Sequence, residues 1–587
     1  MTDTPAALQF TDAELLGKVA AVDTSRVSVD VSNSILLTRI GIGNLIAIRG
    51  STEREYLIAI TERVTRSMRD ELPEELPDGD DELMLASVPT DLVRGALIGT
   101  FRTVDGEKKN TFKRGADSFP QIDRECYVVD AGNLQRFMGI LGADFPENER
   151  LKLGTFVADR TAEAIVSGDK FFQRHAAILG STGSGKSYAV ALILERAAKL
   201  KYPNILVFDM HGEYAPLADA TKNGFATRVR IAGPGDLENP GDDALFLPYW
   251  LLNRDEMLSM ILDRSDQNAP NQASRFTSHV KALKQKTLEA EKKIDVAKTF
   301  TVDSPIPYPI KSLLGLLETD NTTKGVGKAG APVKGEWEDK LTRFISRLEA
   351  KLDDRRYGFM FAPPAKANTY DWLAAQTIRL LGSNGGKGIK IIDFSEVPSD
   401  VLPVVTGTLA RLLYDVQFWM DPLKRTPVTL LCDEAHLYLP VRDDADAVQR
   451  QALGAFERIA KEGRKYGFSL LVVSQRPSDV SKTILSQCNN FLSLRLTNDT
   501  DQAVIKRLMP DSLAGLTSIL PLLDTGEALM LGDAVLLPSR IKLDKPTIAP
   551  DSATRDFWKD WGTQAPDVEA INRAVEALRS QTRSKPA

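Results

Sequence analysis

The chain has 587 residues, 43% hydrophobic and 26% charged, and its formal net charge of −6 excludes a protein coated in basic charge. No run approaches the ~18 apolar residues of a transmembrane helix, and the three cysteines, Cys126, Cys432 and Cys488, lack the spacing of a metal site or a disulfide framework. We therefore expect a cytoplasmic protein that makes no membrane contact.

The first 150 residues contain a series of short strand-like runs separated by turn residues. The series begins with Lys18-Val-Ala-Ala-Val and ends with Glu125-Cys-Tyr-Val-Val. Short strands at this spacing are typical of small barrels. The sequence therefore predicts an N-terminal β-barrel domain over residues 1–150.

Residues Gly180 to Ser187 read G-x-x-x-x-G-K-S between an apolar run and a helical pattern. This strand–loop–helix context is that of a P-loop, whose glycines turn backbone N–H groups toward phosphates. Lys186 would bring positive charge to the β- and γ-phosphates of ATP, and Ser187 would place a hydroxyl on Mg²⁺. The predicted nucleotide-binding residues are Gly180, Ser181, Thr182, Gly183, Ser184, Gly185, Lys186, Ser187 and Tyr188.

Strand-like runs alternate with helical patterns from about residue 151 onward. Runs such as Ile205–Asp209, Ile389–Asp393 and Val428–Cys432 are rich in apolar and β-branched residues, which indicates a parallel, doubly wound α/β sheet. The alternation stops over residues 239–388, where helical patterns predict an insertion. We predict a P-loop ATPase core over residues 151–545, followed by a helical tail over residues 546–587.

Two carboxylates follow the apolar run that ends at Cys432. Asp433 and Glu434 form the pattern of a Walker B site, in which Asp433 would hold Mg²⁺ and Glu434 would polarise the attacking water. The letters Asp-Glu-Ala-His also occur in superfamily-two helicases. The separation from Lys186 is far longer than those helicases use, and no arginine-rich motif of their kind follows.

Two further polar residues flank the next predicted strand. An amphipathic helix over Ala447–Glu462 ends in Gly463-Arg464-Lys465-Tyr466-Gly467, and the strand after it ends at Ser474-Gln475. Arg464 is a candidate arginine finger for the nucleotide of a neighbouring subunit. Gln475 is a candidate sensor of the γ-phosphate.

The chain resembles the HerA/FtsK group of hexameric DNA-translocating ATPases, and its HerA-like members in particular. The matching segments cover roughly residues 150–540. They are His175-Ala-Ala-Ile-Leu-Gly-Ser-Thr-Gly-Ser-Gly-Lys-Ser187, Asp209-Met-His-Gly-Glu-Tyr214, Asp433-Glu-Ala-His436, Glu462-Gly-Arg-Lys-Tyr-Gly467, Ser474-Gln-Arg-Pro477 and Leu494-Arg-Leu-Thr-Asn498. Met210 stands where the family often has proline.

The resemblance implies a RecA-like core, a HerA-type barrel at the N-terminus and a homo-hexamer that uses ATP and Mg²⁺ to move along DNA, with double-stranded DNA fitting the family's pore best. Under it, Lys186, Ser187, Asp433 and Glu434 serve the nucleotide of their own subunit. Arg464 matches a trans-acting arginine, and Arg174 matches a second arginine at the subunit interface.

HerA-like rings also work with a separately encoded partner, most often a NurA-type nuclease. In bacteria, similar ATPases pair with sirtuin-like NADases or other nucleases in antiphage defence. The resemblance therefore implies either a motor that serves a nuclease or a ring that scaffolds and activates an effector, with translocation secondary. In both cases the N-terminal barrel is the expected docking surface. A protein unfoldase is disfavoured because no aromatic pore motif is recognisable.

Overall fold

The computed structural model describes residues 8–52, 54–71, 86–103, 110–115, 118–143, 145–326, 332–382, 387–509, 511–552, 556–563 and 565–581. The chain forms two compact units, each built from separate segments. Unit 1 comprises Met1–Arg196, Gln475–Ser478 and Cys488–Pro546, and unit 2 comprises Ala197–Ser474, Asp479–Gln487 and Thr547–Ala587. The domain boundaries predicted from the sequence cross these units and stay predictions.

A closed β-barrel forms the first part of unit 1. Its strands are β1 (Leu15–Asp23), β2 (Arg26–Val31), β3 (Leu45–Arg49), β4 (Glu55–Glu71), β5 (Ala86–Thr103), β6 (Asn110–Arg114) and β7 (Glu125–Val129). They lie in the order β2-β1-β7-β3-β4-β5-β6, and a further antiparallel pairing of β2 with β5 closes the barrel. The predicted small N-terminal barrel is thereby confirmed.

Alternating apolar residues fill the barrel. Val27 and Val29 of β2 are 1% and 0% exposed, and residues two apart point to the same face of a strand. Burying each such side chain stabilises the fold by roughly 1.5–3 kcal/mol. Helix α1 (Ala131–Ala143) follows β7 and packs Phe137 edge-on against Phe101 of β5, with 5.6 Å between the ring centroids.

A second sheet in unit 1 carries the strand that leads to the P-loop. The elements here are β8 (Arg150–Phe156), β9 (Glu163–Ser167), α2 (Gly168–Gln173), β10 (Ala176–Leu179), α3 (Lys186–Ala198), β19 (Asn490–Ser493), α14 (Asp499–Leu508), β20 (Glu527–Gly532) and β21 (Ser539–Leu543). Strand β10 pairs in parallel with β19, and antiparallel pairings continue through β20, β21, β8 and β9.

Unit 2 contains a parallel sheet. Its strands are β11 (Ile205–Asp209), β12 (Ala226–Ile231), β13 (Ala244–Leu245), β16 (Ile389–Asp393), β17 (Val428–Cys432) and β18 (Phe468–Ser474). They lie in the order β13-β12-β16-β11-β17-β18, and every pairing is parallel. Every residue of β11, β16 and β17 is buried, as expected for strands covered on both faces.

The predicted helical insertion lies between β13 and β16. It contains α4 (Arg254–Ile261), α5 (Ala269–Ala290), α6 (Ile294–Thr299), α7 (Ile310–Thr322), a hairpin of β14 (Gly325–Val326) and β15 (Pro332–Val333), α8 (Thr342–Asp353), α9 (Gly358–Phe361) and α10 (Trp372–Leu381). Phe276, Val280 and Leu283 of α5 are buried. Their spacing of four and three residues places them on one stripe of the helix.

The remaining helices of unit 2 are α11 (Leu402–Trp419), α12 (Ala447–Glu462), α13 (Lys482–Gln487), α15 (Phe557–Thr563) and α16 (Val568–Ser580). Helix α12 begins with a capping box, in which Asp446 accepts from the Gln449 N–H and Gln449 accepts from the Asp446 N–H. No residue of α15 or α16 is buried. Within the described ranges, the helices are too short or too polar to cross a membrane.

Candidate active site

The P-loop lies in unit 1, between β10 and α3. Gly183 and Gly185 have φ angles of 73° and 103°, in the left-handed region that favours glycine. A Cβ atom on Gly180 would lie 2.6 Å from Ser184 Oγ and 2.8 Å from Leu494 Cβ. The loop therefore needs glycine where the sequence has it, and the N-terminus of α3 follows directly, as in a phosphate-binding loop.

Two residues of the loop are held by hydrogen bonds to other segments of unit 1. The Ser181 N–H donates to the Arg495 carbonyl at 2.8 Å, and Thr182 Oγ1 donates to Gln475 Oε1 at 2.6 Å. Gln475, which the sequence predicts as a sensor, thus contacts the P-loop directly. A change in the conformation of the loop on binding phosphate would therefore alter this hydrogen bond.

The first turn of α3 carries the last three predicted nucleotide-binding residues, and one of them, Ser187, is also a predicted metal ligand. Lys186 is 9% exposed, and its Nζ lies 3.5 Å from the Ser181 carbonyl, so its ammonium folds back over the loop. Ser187 is half-buried, whereas Tyr188 is exposed. The Lys186 ammonium is therefore directed toward the backbone of the loop.

The Walker B carboxylates lie in unit 2, where the parallel strands end. Asp393 and Asp209 are the last residues of β16 and β11 and are paired in register. Phe208 pairs with Cys432, the last residue of β17, so Asp433 follows beside Asp209. Three neighbouring strands therefore carry aspartates at the same edge, where ligands bind in open α/β sheets.

The three aspartates have different partners. Asp393 forms an ion pair with Arg228, and Asp209 accepts backbone N–H groups of residues 212–214 at 2.9 to 3.1 Å. The Asp209 side chain thus shapes the turn of the Asp209-Met-His-Gly-Glu-Tyr214 segment. Asp433 is 4% exposed, and its backbone carbonyl accepts from Tyr438 at 3.0 Å.

Negative charge is concentrated at this edge. Burial raises the pKa of Asp209 to about 6. Burial raises the pKa of Asp433 well above its ordinary range, and the charges of Glu434 and Asp209 add to this shift. Carboxylate oxygens are donors that Mg²⁺ prefers, and a bound cation favours the ionised form.

Asp433 therefore fits the role of a metal ligand. Among the described residues no cluster of three or more His, Cys, Asp or Glu side chains forms a metal site. A Mg²⁺ ion that is also bound by phosphates typically has only a small number of protein ligands.

Glu434 has a strained backbone, and its side chain lies beside His436. Its φ angle is 44°, and the left-handed conformation costs a non-glycine residue about 1–2 kcal/mol. Glu434 Oε2 lies 3.3 Å from His436 Nδ1, and Ser474 Oγ lies 3.4 Å from the same nitrogen. The imidazole and the carboxylate are thus within ion-pair distance of each other. His436 thus lies beside both Glu434 and Ser474, the last residue of β18, where it is placed to orient the Glu434 carboxylate.

We expect His436→Ala to lower kcat for ATP about tenfold and to leave the KM nearly unchanged, because Glu434 would lose its orientation while the P-loop stays intact. Steady-state ATPase assays measure both constants, and His436→Gln, which retains a donor, should recover part of the rate. His279→Ala removes a comparable pair with Asp320, 2.7 Å long, in the insertion and should leave kcat unchanged. Equal losses in both variants would contradict the role.

Arg464 lies at the opposite edge of the same sheet. It is exposed in the turn of residues 463–466, and Gly467 follows with a φ angle of 69°. The Gly467 carbonyl accepts from the Val428 N–H at 2.8 Å, so the turn adjoins the start of β17. Tyr466 packs at 5.0 Å from Phe418. The turn is therefore a fixed platform that presents Arg464 outward.

Arg174, which the resemblance places at a subunit interface, has a partner within its own chain. It is the residue after α2, and its guanidinium forms an ion pair with Asp533. Its side chain is 31% exposed. The predicted interface role of Arg174 stays a prediction, as does the predicted role of Arg464.

Residues 151–413 match the family model described as the central domain of the helicase HerA. The ATPase domain is HerA-like. A probable helicase of Methanocaldococcus jannaschii is 28% identical over 459 residues, which cover 76% of this chain and 76% of that protein. The DNA double-strand break repair helicase HerA of Sulfurisphaera tokodaii is 26% identical, covering 63% of this chain and 65% of that protein.

The HerA-like relatives confirm the family identified from the sequence motifs and the assignment as an ATP hydrolase of the helicase and translocase type. Among solved structures, VirB4 of Thermoanaerobacter pseudethanolicus superposes with a TM-score of 0.46 at 16% identity, covering 68% of this chain and 97% of that one. The plasmid coupling protein TrwB in complex with an ATP analogue gives 0.44 at 13% identity, covering 70% and 93%.

Sequence reasoning left several contacts of the HerA-like site unassigned. The sequence motif gives His436 no role beyond its place after the Walker B carboxylates, although histidine is rare in this chain, with four in all. Asp209 belongs to a segment that matches the family, and the motif alone gives it no role. Its position at the end of an apolar run was the available signal, because strand-terminal aspartates meet at one sheet edge.

Proposed function

We propose that this HerA-like chain is an ATP-driven, hexameric DNA translocase that acts with a separately encoded effector. The observation that carries the proposal is the position of Arg464. It adjoins the amino end of β17, whereas Asp433 and Glu434 follow the carboxyl end of that strand. A five-residue strand is about 17 Å long, so Arg464 is directed away from the carboxylates of its own chain and is suited to a neighbour's nucleotide.

The residues divide the work of ATP hydrolysis as follows. The P-loop N–H groups and Lys186 bind the phosphates, and Ser187 and Asp433 would hold Mg²⁺, which neutralises phosphate charge when bound. Glu434 orients the attacking water and receives its proton. Gln475 reports the state of the P-loop through its hydrogen bond to Thr182.

DNA is the proposed track because HerA of Sulfurisphaera tokodaii is named a DNA double-strand break repair helicase. The chain as a whole is mildly acidic, so the basic groups that grip DNA would be local rather than spread over the surface. Binding to the phosphate backbone would be independent of sequence and would weaken steeply with salt.

The partner is proposed to be a nuclease or an NADase that docks on the N-terminal barrel. The barrel exposes apolar side chains, with Ile35 77%, Phe119 57% and Ile122 56% exposed. Exposed apolar residues of this kind are common at protein interfaces. In the alternative, the ring mainly scaffolds and activates an antiphage effector, and translocation is secondary.

The test is the ATPase rate of the full chain with and without linear duplex DNA, with the mass of the assembly measured in the same buffer. A motor predicts stimulation of about tenfold or more by DNA, and Lys186→Ala should abolish both basal and stimulated rates. A ring whose ATPase ignores DNA but responds to its effector would overturn the motor and support the scaffold. A monomer with full activity would overturn both.

A further inference from the structure

The turn between β20 and β21, residues 533–538, is held by the barrel. Arg114 is the last residue of β6. Its Nε donates to the Leu536 carbonyl at 2.9 Å, and its Nη2 donates to the Gly532 carbonyl at 2.9 Å and to the Val535 carbonyl. One barrel side chain therefore binds two carbonyl groups of this turn and the carbonyl of Gly532, the last residue of β20.

The same turn is bound to the segment that leads into the P-loop. The Arg174 guanidinium pairs with Asp533 Oδ2, and Asn489 Nδ2 donates to the same oxygen at 3.2 Å. The Asn489 N–H donates to the Arg174 carbonyl at 3.1 Å. Arg114 Nη1 lies 3.9 Å from Asp533 Oδ1. A single carboxylate thus lies between a barrel guanidinium and the guanidinium that precedes β10.

Further hydrogen bonds, from the Asn490 side chain to backbone groups, stiffen the connection between the 533–538 turn and β10. The Asn490 side chain accepts from the Ala534 N–H at 2.8 Å and donates to the Lys170 carbonyl at 2.9 Å. His175, between Arg174 and β10, has a φ angle of 48° and is 4% exposed. The four residues of β10 are buried, and Gly180 follows at once. A shift of Arg174 would therefore reach the P-loop through a short, packed strand.

We propose that Asp533 is a positioning residue that couples the barrel to the P-loop through Arg114 and Arg174. Rearrangement of the barrel by a docked protein would move the 533–538 turn, and Asp533 would pass this movement to the start of β10. This inference rests on the proposed ATPase, and it gives Arg174 a role inside its own subunit. The barrel thereby tunes the affinity of the P-loop for nucleotide.

The test measures the affinity of the full chain for a fluorescent, non-hydrolysable ATP analogue. Asp533→Asn and Arg114→Met are each expected to weaken binding about fivefold, a typical coupling between two sites, while Asp533→Glu retains most of the affinity. In the double variant Asp533→Asn/Arg114→Met the two losses should not add, because both break one pathway. Glu163→Gln is the matched control, since it removes a 2.6 Å pair with Lys152 elsewhere in unit 1.

Additive losses, or wild-type affinity in both single variants, would overturn the coupling. A loss of hydrolysis in Arg174→Ala with unchanged affinity, while Asp533→Asn behaves as wild type, would instead favour the interface role of Arg174. Thermal unfolding of each variant shows whether a loss of affinity is caused by misfolding. If Asp533→Asn misfolds, Asp533→Glu still tests the role of the carboxylate. Because the affinity for nucleotide is measured without turnover, the result can be interpreted even if the chain proves not to be a DNA motor.

Discussion

Glu434→Gln is expected to reduce ATP hydrolysis about a thousandfold while the protein still binds ATP. The amide keeps the size of the side chain but cannot accept the proton of the attacking water, and a general base contributes about 10²–10⁴-fold. The P-loop lies on other segments of the chain and is unchanged. Single-turnover hydrolysis and titration with a fluorescent ATP analogue measure the two properties separately.

Glu318→Gln, an exposed glutamate of α7 in the insertion, serves as the control for loss of a carboxylate and should hydrolyse ATP at the wild-type rate. If Glu434→Gln retained more than about a tenth of the wild-type rate, the base would have to be another group. Glu213 would then be the first candidate, because its charge adds to the upward shift in the pKa of Asp433, after burial and the charges of Glu434 and Asp209.

Arg464→Ala is expected to lower hydrolysis by about a thousandfold, the scale on which an arginine finger acts, without weakening nucleotide binding. The decisive measurement mixes it with Lys186→Ala, which is inactive for a different reason. If Arg464 acts on a neighbour, about a quarter of the interfaces in an equimolar mixed ring join an intact P-loop to an intact arginine. Two inactive proteins should then regain activity together.

Lys465→Ala removes the adjacent exposed cation of the same turn and should have little effect. Arg464→Lys should restore only a small part of the rate, because a lysine lacks the forked donor geometry of arginine. If the mixture of Arg464→Ala and Lys186→Ala stayed inactive although mass measurements showed mixed rings, Arg464 would not act in trans.

The local patterns of the sequence predicted the ATPase sheet closely. The strands Ile205–Asp209, Ile389–Asp393 and Val428–Cys432 and the helix Ala447–Glu462 have the predicted bounds. Burial on both faces makes each strand a mostly apolar run, and a capping box marks the helix start. The P-loop glycines also lie where the motif requires them.

Contacts between distant segments were not predictable in this way. Arg174 and Asp533 are separated by 359 positions, and no sequence pattern near either residue indicates that the two form an ion pair. Arg114 is one basic residue on a short strand, and its three carbonyl acceptors depend on the path of the β20–β21 turn. Side-chain pairing across strands follows register, which a single sequence does not specify for remote segments.

The pairing of β10 with β19 and of β8 with β21 also bears on the order of folding during synthesis. The barrel strands are contiguous in sequence and can close early, whereas β10 and the side of β8 that does not pair with β9 have partners several hundred residues downstream. At about 5–20 residues per second this delay is roughly 20–80 s. Unpaired strand edges invite aggregation, so we expect nascent chains to need chaperone protection, and fragments that end before Asn490 to be insoluble.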